Sequence, residues 1–474
     1  MTKPNIIFIL IDDMGWMDIG CQGSSFYETP NIDRLRAQGM QFTDAYASCP
    51  VCSPTRASVL TGKYPATVGI TNYIPGAAVG KLLAVPYFRE LPRSETTVAT
   101  ALKRHGYRTF HVGKWHLGGE GHTPQDFGFD VNVAGCDWGA PRKGYFSPWQ
   151  LPGYPDGVEG EYLTDHISDR AVELIDDAGD DPYFMYLSHY AVHTPIQAPA
   201  HLIAKYKAKA ARLGLDKVQI FEEGEFHPCI SKQEQRVKRR LVQSDPGYAA
   251  MVENLDANIG KVMAAVERSS RSDDTIIIFT SDNGGLATSE GSPTSNAPLA
   301  EGKGWMYEGG TREPMLVRWP KVVSAGSNCD VPVTSTDFFP TFLEAAGAPL
   351  MPEQHCDGVS ILSLFEGKAA LEREAIFWHY PHYSNQGGSP GCSVRAGDWK
   401  LIEFFEDSKL ELYNLRDDIS EERDRAADKP ELVKNLHAKL IAWRESVEAK
   451  IPPVNEHYEA MSRGDIPVPS PWDD

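Results

Sequence analysis

Short apolar runs alternate with amphipathic stretches through the first three quarters of the chain. The run from Ile6 to Ile11 is apolar at every position, which is typical of a strand that is buried on both faces of a sheet. The same reading predicts strands in six places: Asn5–Ile11, Gln41–Ala47, Arg108–Gly113, Tyr183–Ser188, Thr275–Ser281 and Met315–Trp319.

Apolar residues at three- and four-residue steps predict helices between these strands. The clearest stripe lies in Tyr248–Arg268, where Met251, Leu255, Ile259, Val262 and Val266 share one face. The other predicted helices are Ile32–Gln38, Thr97–His105 and Leu163–Asp176. Alternating strands and helices predict an α/β sheet covered by helices on both faces.

Two regions depart from this pattern. The stretch from His201 to Ser244 is highly charged and weakly periodic, and we interpret it as an insertion, with Lys238 to Arg240 on a solvated helical face. After about residue 370 the chain predicts hairpin strands at Ser393–Ile402 and Lys409–Leu415 and a closing helix at Pro430–Val447. We therefore expect two domains, residues 1–370 and residues 371–474.

The charge and composition of the chain exclude several classes of partner. The 474 residues include 46 Lys and Arg against 65 Asp and Glu, a net charge of −19, which argues against nucleic acid as a partner and against broad capture of polyanions. We expect no membrane partner, because no apolar run approaches the length of a membrane span. The cellular location stays open between the cytoplasm and, if a leader is removed, the periplasm or the exterior, and the oligomeric state stays open as well.

Cys52 directly precedes a predicted helix. Pro54 suits the first turn of that helix, and Gly62 suits its C-terminal end. The thiol would then lie at the positive end of the helix dipole with Arg56 within one turn, which favours a nucleophile or a bound anion. The alternative is a buried structural cysteine, and we interpret the neighbouring Cys49 as a packing residue of that kind.

Acidic pairs follow two of the predicted strands. Asp12 and Asp13 come after the first strand, and Asp282 and Asn283 come after the strand that ends at Ser281. Ligands gather at the carboxyl ends of strands in α/β sheets, and oxygen side chains there can converge on one hard cation. Either pair alone could also be an ordinary turn.

Positive side chains are needed near such a site, because three carboxylates outweigh one divalent cation. Three places in the sequence resemble motifs of a known enzyme family, and this resemblance singles out the candidates: Lys114 and His116 in Gly113-Lys114-Trp115-His116-Leu117-Gly118, His193 in His193-Thr194-Pro195, and Lys303. Each has a simpler alternative when taken alone, since Lys303, for example, could be a surface lysine.

The segment Cys52-Ser53-Pro54-Thr55-Arg56, followed by Leu60-Thr61-Gly62-Lys63, resembles the signature of the type I, formylglycine-dependent sulfatases of the alkaline phosphatase superfamily. The other motifs match the family in the same order, and the resemblance runs from Pro4 to about Leu415. It implies a large mixed sheet sandwiched by helices, as in alkaline phosphatase, and a smaller C-terminal antiparallel sheet packed with one helix.

The resemblance also implies the chemistry. A maturation enzyme would convert Cys52 to formylglycine, whose hydrate is the nucleophile, and one calcium ion would be bound by Asp12, Asp13, Asp282, Asn283 and an oxygen of the modified Cys52. Arg56, Lys114 and Lys303 would stabilise the sulfuryl oxygens. His193 with Lys303 would protonate the leaving alcohol, and His116 would help to expel sulfate.

Two stretches combine aromatic and polar residues, which suits a sugar ring. They supply five candidate substrate residues: Asp137, Arg142, Tyr145, His379 and His382, the last two within His379–Gln386. The loops resemble those of carbohydrate exo-sulfatases, so we expect a sulfated mono- or oligosaccharide substrate, in particular a galactose or N-acetylgalactosamine sulfate. The alternatives are loops that only pack the domains together, a phosphate or phosphonate monoester hydrolase, an aryl sulfatase, and an inactive sugar-sulfate-binding protein.

Overall fold

The computed structural model describes residues 3–368 and 370–468. Its strands are β1 (Asn5–Ile11), β2 (Met40–Tyr46), β3 (Arg108–Gly113), β4 (Val131–Val133), β5 (Tyr183–Ser188), β6 (Phe221–Phe226), β7 (Arg236–Arg240), β8 (Thr275–Ser281), β9 (Arg312–Arg318), β10 (Ser327–Cys329), β11 (Val333–Thr334), β12 (Ile376–Tyr380), β13 (Gly391–Ala396), β14 (Trp399–Phe404) and β15 (Leu410–Asn414). Its α-helices are α1 (Pro30–Gln38), α2 (Cys52–Thr61), α3 (Pro65–Val68), α4 (Val98–Arg104), α5 (Leu163–Ala178), α6 (Ala200–Arg212), α7 (Pro246–Arg268), α8 (Glu308–Thr311), α9 (Phe338–Ala345), α10 (Leu362–Phe365), α11 (Pro430–Ser446) and α12 (Tyr458–Ser462).

The large sheet is mixed, as expected. Its strands run in the order β10-β2-β9-β8-β1-β5-β3-β4, with β11 also paired to β2. The central strand β1 is parallel to both β5 and β8, whereas β9 is antiparallel to β8 and β2. The predicted α/β fold with a large mixed sheet between helices is therefore confirmed.

Alternating residues of β1 feed two separate cores. Ile7 and Ile9 pack on the side that carries α5 and α7, whereas Phe8 and Leu10 pack with α4 and α9 on the opposite side. Every residue of β1 is buried. This explains why the strand is apolar at every position, since both of its faces are removed from water.

The C-terminal sheet is a four-stranded antiparallel meander, β12-β13-β14-β15. Helix α11 covers one face through Leu436 and Leu440, while Trp378 and Ile402 on the other face pack against Tyr46 of the larger sheet. The expected sheet with one packed helix is thus present. One boundary was wrong: Ser393–Ile402 spans two strands, because the chain turns at Gly397, whose φ is +58°. The division at residue 370 stays a prediction.

The charged stretch after His201 is partly ordered secondary structure. Helix α6 packs beside α7, and β6 and β7 form an antiparallel hairpin. The expectation that Lys238 to Arg240 lie on a helix was wrong, because these residues belong to β7, where Lys238 and Arg240 lie over the Phe221 ring. No helix in the described part of the chain combines the length and the apolar character that a membrane span needs.

Candidate active site

The two acidic pairs meet at one edge of the large sheet. Strands β1 and β8 are parallel neighbours in register from Asn5 opposite Thr275 to Ile11 opposite Ser281, so the residues that follow them are adjacent. The backbone NH of Asp13 donates to Asp282 Oδ1 at 3.3 Å, and the amide of Asn283 donates to Asp13 Oδ1 at 2.8 Å. All four side chains are buried.

Three cations surround this cluster. Lys114 Nζ lies 2.7 Å from Asp12 Oδ2, and Lys303 Nζ lies 2.8 Å from Asp13 Oδ1. Arg56 donates to Asp282 Oδ2 through Nε at 2.9 Å and through a terminal nitrogen at 2.7 Å. Each carboxylate therefore has its own cationic partner, which the burial of so much charge requires.

These contacts set the ionisation of the carboxylates. Burial alone would raise the pKa of Asp13, but the charges of Lys303, His193 and Lys114 outweigh it and hold that pKa below its usual range. Burial raises the pKa of Asp282 to about 7, against the opposing effect of Arg56. The site therefore holds Asp13 firmly ionised.

Two buried oxygens in the cluster point to a cation. Asp12 Oδ1 and Asn283 Oδ1 have no hydrogen-bond partner among the described residues. Unpaired buried oxygens are costly, so they are expected to have a ligand. Donor atoms of Asp12, Asp13 and His193 also lie within 4.8 Å of one another. A donor set dominated by carboxylate and amide oxygens fits a hard cation such as calcium.

Helix α2 places Cys52 beside this cluster. Cys52 is the first residue of the helix, which ends at Gly62 in the left-handed conformation (φ +71°), so the predicted helix is confirmed. The Cys52 side chain is buried, and its Sγ lies 3.3 Å from His116 Nδ1. The sulfur thus lies at a helix N-terminus next to an imidazole, Lys114 and Lys303.

The unmodified thiol is poorly suited to nucleophilic attack. Burial raises the pKa of Cys52, although Lys114 and Lys303 oppose the shift. Burial and the charge of Lys114 hold the pKa of His116 well below its usual value, so its imidazole is neutral at neutral pH. A protonated thiol beside a weak base is a poor nucleophile.

A cavity of about 220 Å³ opens onto the sulfur. Its walls are Cys52, Tyr73, Ile74, His116, Gly139, Ala140, Arg142, His193, Glu290, Lys303 and Gln386. Of the six expected catalytic residues, Cys52, His116, His193 and Lys303 reach the cavity. Arg56 and Lys114 do not line it: both are fully buried, and they contact Asp282 and Asp12.

The expected substrate residues are divided between several places. Arg142 lines the cavity and stacks on Trp138, with its guanidinium carbon 4.7 Å from the ring centre. Asp137 is exposed and is not part of the cavity wall. Tyr145 is fully buried, and its hydroxyl lies 2.7 and 2.8 Å from the carbonyl oxygens of Tyr190 and His193. Tyr145 therefore holds the backbone that carries His193.

His379 and His382 do not line the cavity. Both are buried where the C-terminal sheet meets the larger domain. His379 Nε2 lies 3.0 Å from the Lys450 carbonyl oxygen, and His382 Nε2 lies 2.8 Å from Thr71 Oγ1. The contact of His382 with Thr71 joins the two expected domains, as in the alternative that this loop packs them together, whereas the hydrogen bond of His379 stays within residues 371–474.

Tyr73, Glu290 and Gln386 line the cavity but are absent from the expected set. Gln386 is the last residue of the aromatic and polar stretch that begins at His379, so the composition of that stretch could have identified it as a candidate substrate residue. Tyr73 and Glu290 lie in loops without a motif, and only the fold brings them beside Cys52.

Comparison with known proteins agrees with this geometry. Residues 4–348 match the family model described as Sulfatase, and residues 301–446 match N-sulphoglucosamine sulphohydrolase, C-terminal. A sulfatase of Formosa agariphila is 32% identical over 93% of this chain and 88% of its own length. Human N-acetylgalactosamine-6-sulfatase is 32% identical over 79% of this chain and 68% of its own length.

A solved structure extends the similarity to the whole fold. The crystal structure of Ps i-CgsB in complex with k-i-k-neocarrahexaose superposes with a TM-score of 0.75 at 29% identity, covering 98% of this chain and 97% of that chain. The signature segment at Cys52, the charged cluster around it and these matches all point to the same family. The chain belongs to the sulfatase family and is an enzyme that hydrolyses sulfate esters.

Proposed function

We propose that this sulfatase removes a single sulfate from a galactose or N-acetylgalactosamine sulfate, as an exo-acting enzyme. The observation that carries the proposal is the position of Cys52. Its sulfur lies at the N-terminus of α2, faces a cavity of sugar size, and is flanked by three cations and a set of buried oxygen ligands. This arrangement suits an anionic ester and a nucleophile derived from Cys52.

The proposal includes a calcium ion and the conversion of Cys52 to formylglycine. Asp12, Asp13, Asp282 and Asn283 would hold the ion, and two of their oxygens, Asp12 Oδ1 and Asn283 Oδ1, have no hydrogen-bond partner in the described residues. The ion would supply positive charge to the sulfate oxygens, and the hydrated aldehyde would supply the attacking oxygen. We expect maturation by a formylglycine-generating enzyme.

The other charged side chains of the site would bind the sulfate group, orient the carboxylates and protonate the leaving alcohol. Lys303 reaches both Asp13 and the cavity, so it would bind a sulfate oxygen. Arg56 and Lys114 would act through the carboxylates they contact, by orienting Asp282 and Asp12 and adding positive charge behind the site. His193, whose Nε2 is 3.6 Å from Asp13 Oδ2, would protonate the leaving alcohol with Lys303.

His116 is suited to the release of sulfate. Its Nδ1 lies 3.3 Å from the Cys52 sulfur, the atom whose place the attacking oxygens would take. Because the imidazole is neutral, it can accept a proton from the group at position 52. Loss of this proton, from the second hydroxyl of the hydrate, would allow the carbon–oxygen bond to sulfate to break, so that sulfate leaves and the aldehyde is regenerated.

A sugar substrate is supported by the cavity wall and by the relatives. Tyr73, Arg142, Glu290 and Gln386 offer an aromatic face and hydrogen-bonding groups of both kinds around the sulfur. One relative is named as an N-acetylgalactosamine-6-sulfatase, and one solved neighbour is in complex with k-i-k-neocarrahexaose. An aryl ester would need fewer polar groups.

The deciding experiment is a screen of defined monosulfated sugars with the enzyme co-produced with a formylglycine-generating enzyme. We expect sulfate release from a galactose or N-acetylgalactosamine sulfate and a mass about 18 Da below that of the unmodified chain. Cys52→Ala and Cys52→Ser should each lower kcat by roughly a thousandfold or more. Faster turnover of the matching phosphate monoesters, or full activity of Cys52→Ala, would contradict the proposal.

A further inference from the structure

Glu290 is a carboxylate in the wall of a cavity that receives an anionic ester. The other charged groups of the wall, Lys303 and Arg142, are cationic. Burial raises the pKa of Tyr73, and among the neighbouring charges Glu290 adds most to that shift. The negative charge therefore acts inside the cavity, and none of the catalytic steps described above uses it.

Neighbouring amides hold the Glu290 carboxylate in place. Asn385 Nδ2 donates to Oε1 at 2.6 Å, and Gln386 Nε2 donates to the same oxygen at 3.2 Å. Lys232 ties the two loops together, since its Nζ lies 2.9 Å from the Asn385 carbonyl oxygen and 3.3 Å from Ser289 Oγ. Within the described residues Oε2 accepts no hydrogen bond from a protein group, so it is available to a ligand.

The backbone at this position is strained. Glu290, Gly291 and Ser292 have φ values of +54°, +89° and +43°, three consecutive residues in the left-handed region. Glycine or asparagine would adopt the conformation of Glu290 at a lower cost. A glutamate in such a turn whose carboxylate accepts from two amides is a candidate for a role in ligand binding.

A fixed carboxylate distinguishes between neutral and anionic groups. It accepts a hydrogen bond from a sugar hydroxyl, and it repels a second sulfate at the same place. Glu290 is an exposed residue at the edge of the cavity, so this repulsion acts through water and is reduced by salt. We propose that Glu290 determines specificity by selecting a substrate that presents a hydroxyl group at this point of the cavity and disfavouring one that presents a second sulfate. This rests on the proposed sugar sulfatase function.

Glu290→Gln tests the charge while retaining an acceptor oxygen for Asn385. For the best monosulfated sugar and its disulfated isomers, kcat/KM should be measured for wild type and variant. We expect the ratio of kcat/KM, disulfated over monosulfated, to rise about tenfold or more in the variant for at least one isomer. Because salt screens the charge of Glu290, the difference in this ratio between wild type and variant should shrink from about 0.01 to about 1 M salt.

Two further variants separate charge from folding. Glu290→Ala should lose the hydroxyl contact as well and raise KM for the monosulfated sugar, while Glu225→Gln, at an exposed glutamate of β6, should match wild type in every ratio. Unchanged ratios for all isomers in Glu290→Gln would overturn the role of Glu290 while leaving the sulfatase proposal intact. Failure of wild type on every sulfated sugar would overturn the proposed function instead.

Discussion

At the residue scale, Tyr145 shows how a buried side chain serves the cavity without touching it. Its hydroxyl lies between the carbonyl oxygens of Tyr190 and His193, on the segment that carries the proposed acid. The ring is fully buried and stacks with Tyr162 at 5.7 Å. Packing fixes the ring, and the hydroxyl fixes the backbone on which His193 is mounted.

Tyr145→Phe should therefore weaken both stability and turnover. Removing the hydroxyl takes a donor from the His193 carbonyl oxygen, while the Tyr190 carbonyl oxygen still accepts from the His193 backbone NH at 3.1 Å. We expect this loss to cost about 1–3 kcal/mol of unfolding free energy. We expect kcat to fall by about tenfold or less with little change in KM, because the loss concerns the placement of His193 and not substrate contact. Urea unfolding and steady-state kinetics measure both effects.

A change in KM alone would contradict this interpretation, because it would place Tyr145 in contact with the sugar. Tyr154→Phe is the matched control: its hydroxyl contacts His166 Nε2 at 2.7 Å, in a half-buried position apart from the cavity wall. That variant should leave kcat unchanged.

At the element scale, the end of α2 determines how closely the helix carrying Cys52 packs. Gly62 terminates the helix at φ +71°, and a Cβ there would lie 2.4 Å from His355 Cβ and 2.9 Å from His355 Cα. Glycine is therefore required at position 62 for two reasons: the backbone has a positive φ, and the backbone of His355 leaves no space for a Cβ.

Gly62→Ala should destabilise the protein by about 2–4 kcal/mol, since it adds a steric clash to the strain of a left-handed alanine. Gly397→Ala is the matched control, because Gly397 has a φ of +58° and nothing within 4 Å of its added Cβ. The Gly397→Ala variant should lose only about 1 kcal/mol of unfolding free energy. If urea unfolding showed the same decrease in unfolding free energy for both variants, the contact with His355 would add no steric penalty.

The sequence predicted some elements well for a physical reason. The bounds of β1, β3, β5 and β8 agree with the prediction. For β1, β5 and β8 the reason is that strands buried on both faces carry apolar runs, whereas β3 also contains Arg108, Thr109 and His111. The hairpin β6–β7 was not anticipated, since Phe221–Phe226 is mostly charged and exposed. Strand β12 was also missed, and of its residues only His379 and Tyr380 were interpreted, as the start of the stretch assigned to substrate.

At the scale of the whole molecule, motifs could locate the charged cluster but not the rest of the cavity. Asp12 and Asp282 follow parallel neighbouring strands, so their approach is implied by topology. Tyr73, Glu290 and Gln386 come from loops far apart in sequence, and their meeting depends on how the C-terminal sheet docks. For the same reason periodicity could not show that His382 faces that junction and not the substrate.

His382 makes this junction sensitive to acid. Burial lowers its pKa to about 3, and burial lowers the pKa of His379 to about 4, so both are neutral in the folded protein at pH 5. In the unfolded chain they bind protons below about pH 6.5. Their contribution to stability is therefore complete above pH 6.5 and falls by about 1.4 kcal/mol per pH unit for each histidine as the pH decreases toward the folded value.

His382→Gln should remove one of these two contributions, since the glutamine amide can still contact Thr71 and does not titrate. Between pH 6.5 and 5.0 the unfolding free energy of wild type should fall about 2 kcal/mol more than that of the variant, measured by urea titration with tryptophan fluorescence. His201→Gln, at an exposed histidine, should follow wild type. If His382→Gln also follows wild type over this range, His382 takes up a proton in the folded state, and the junction is open to water.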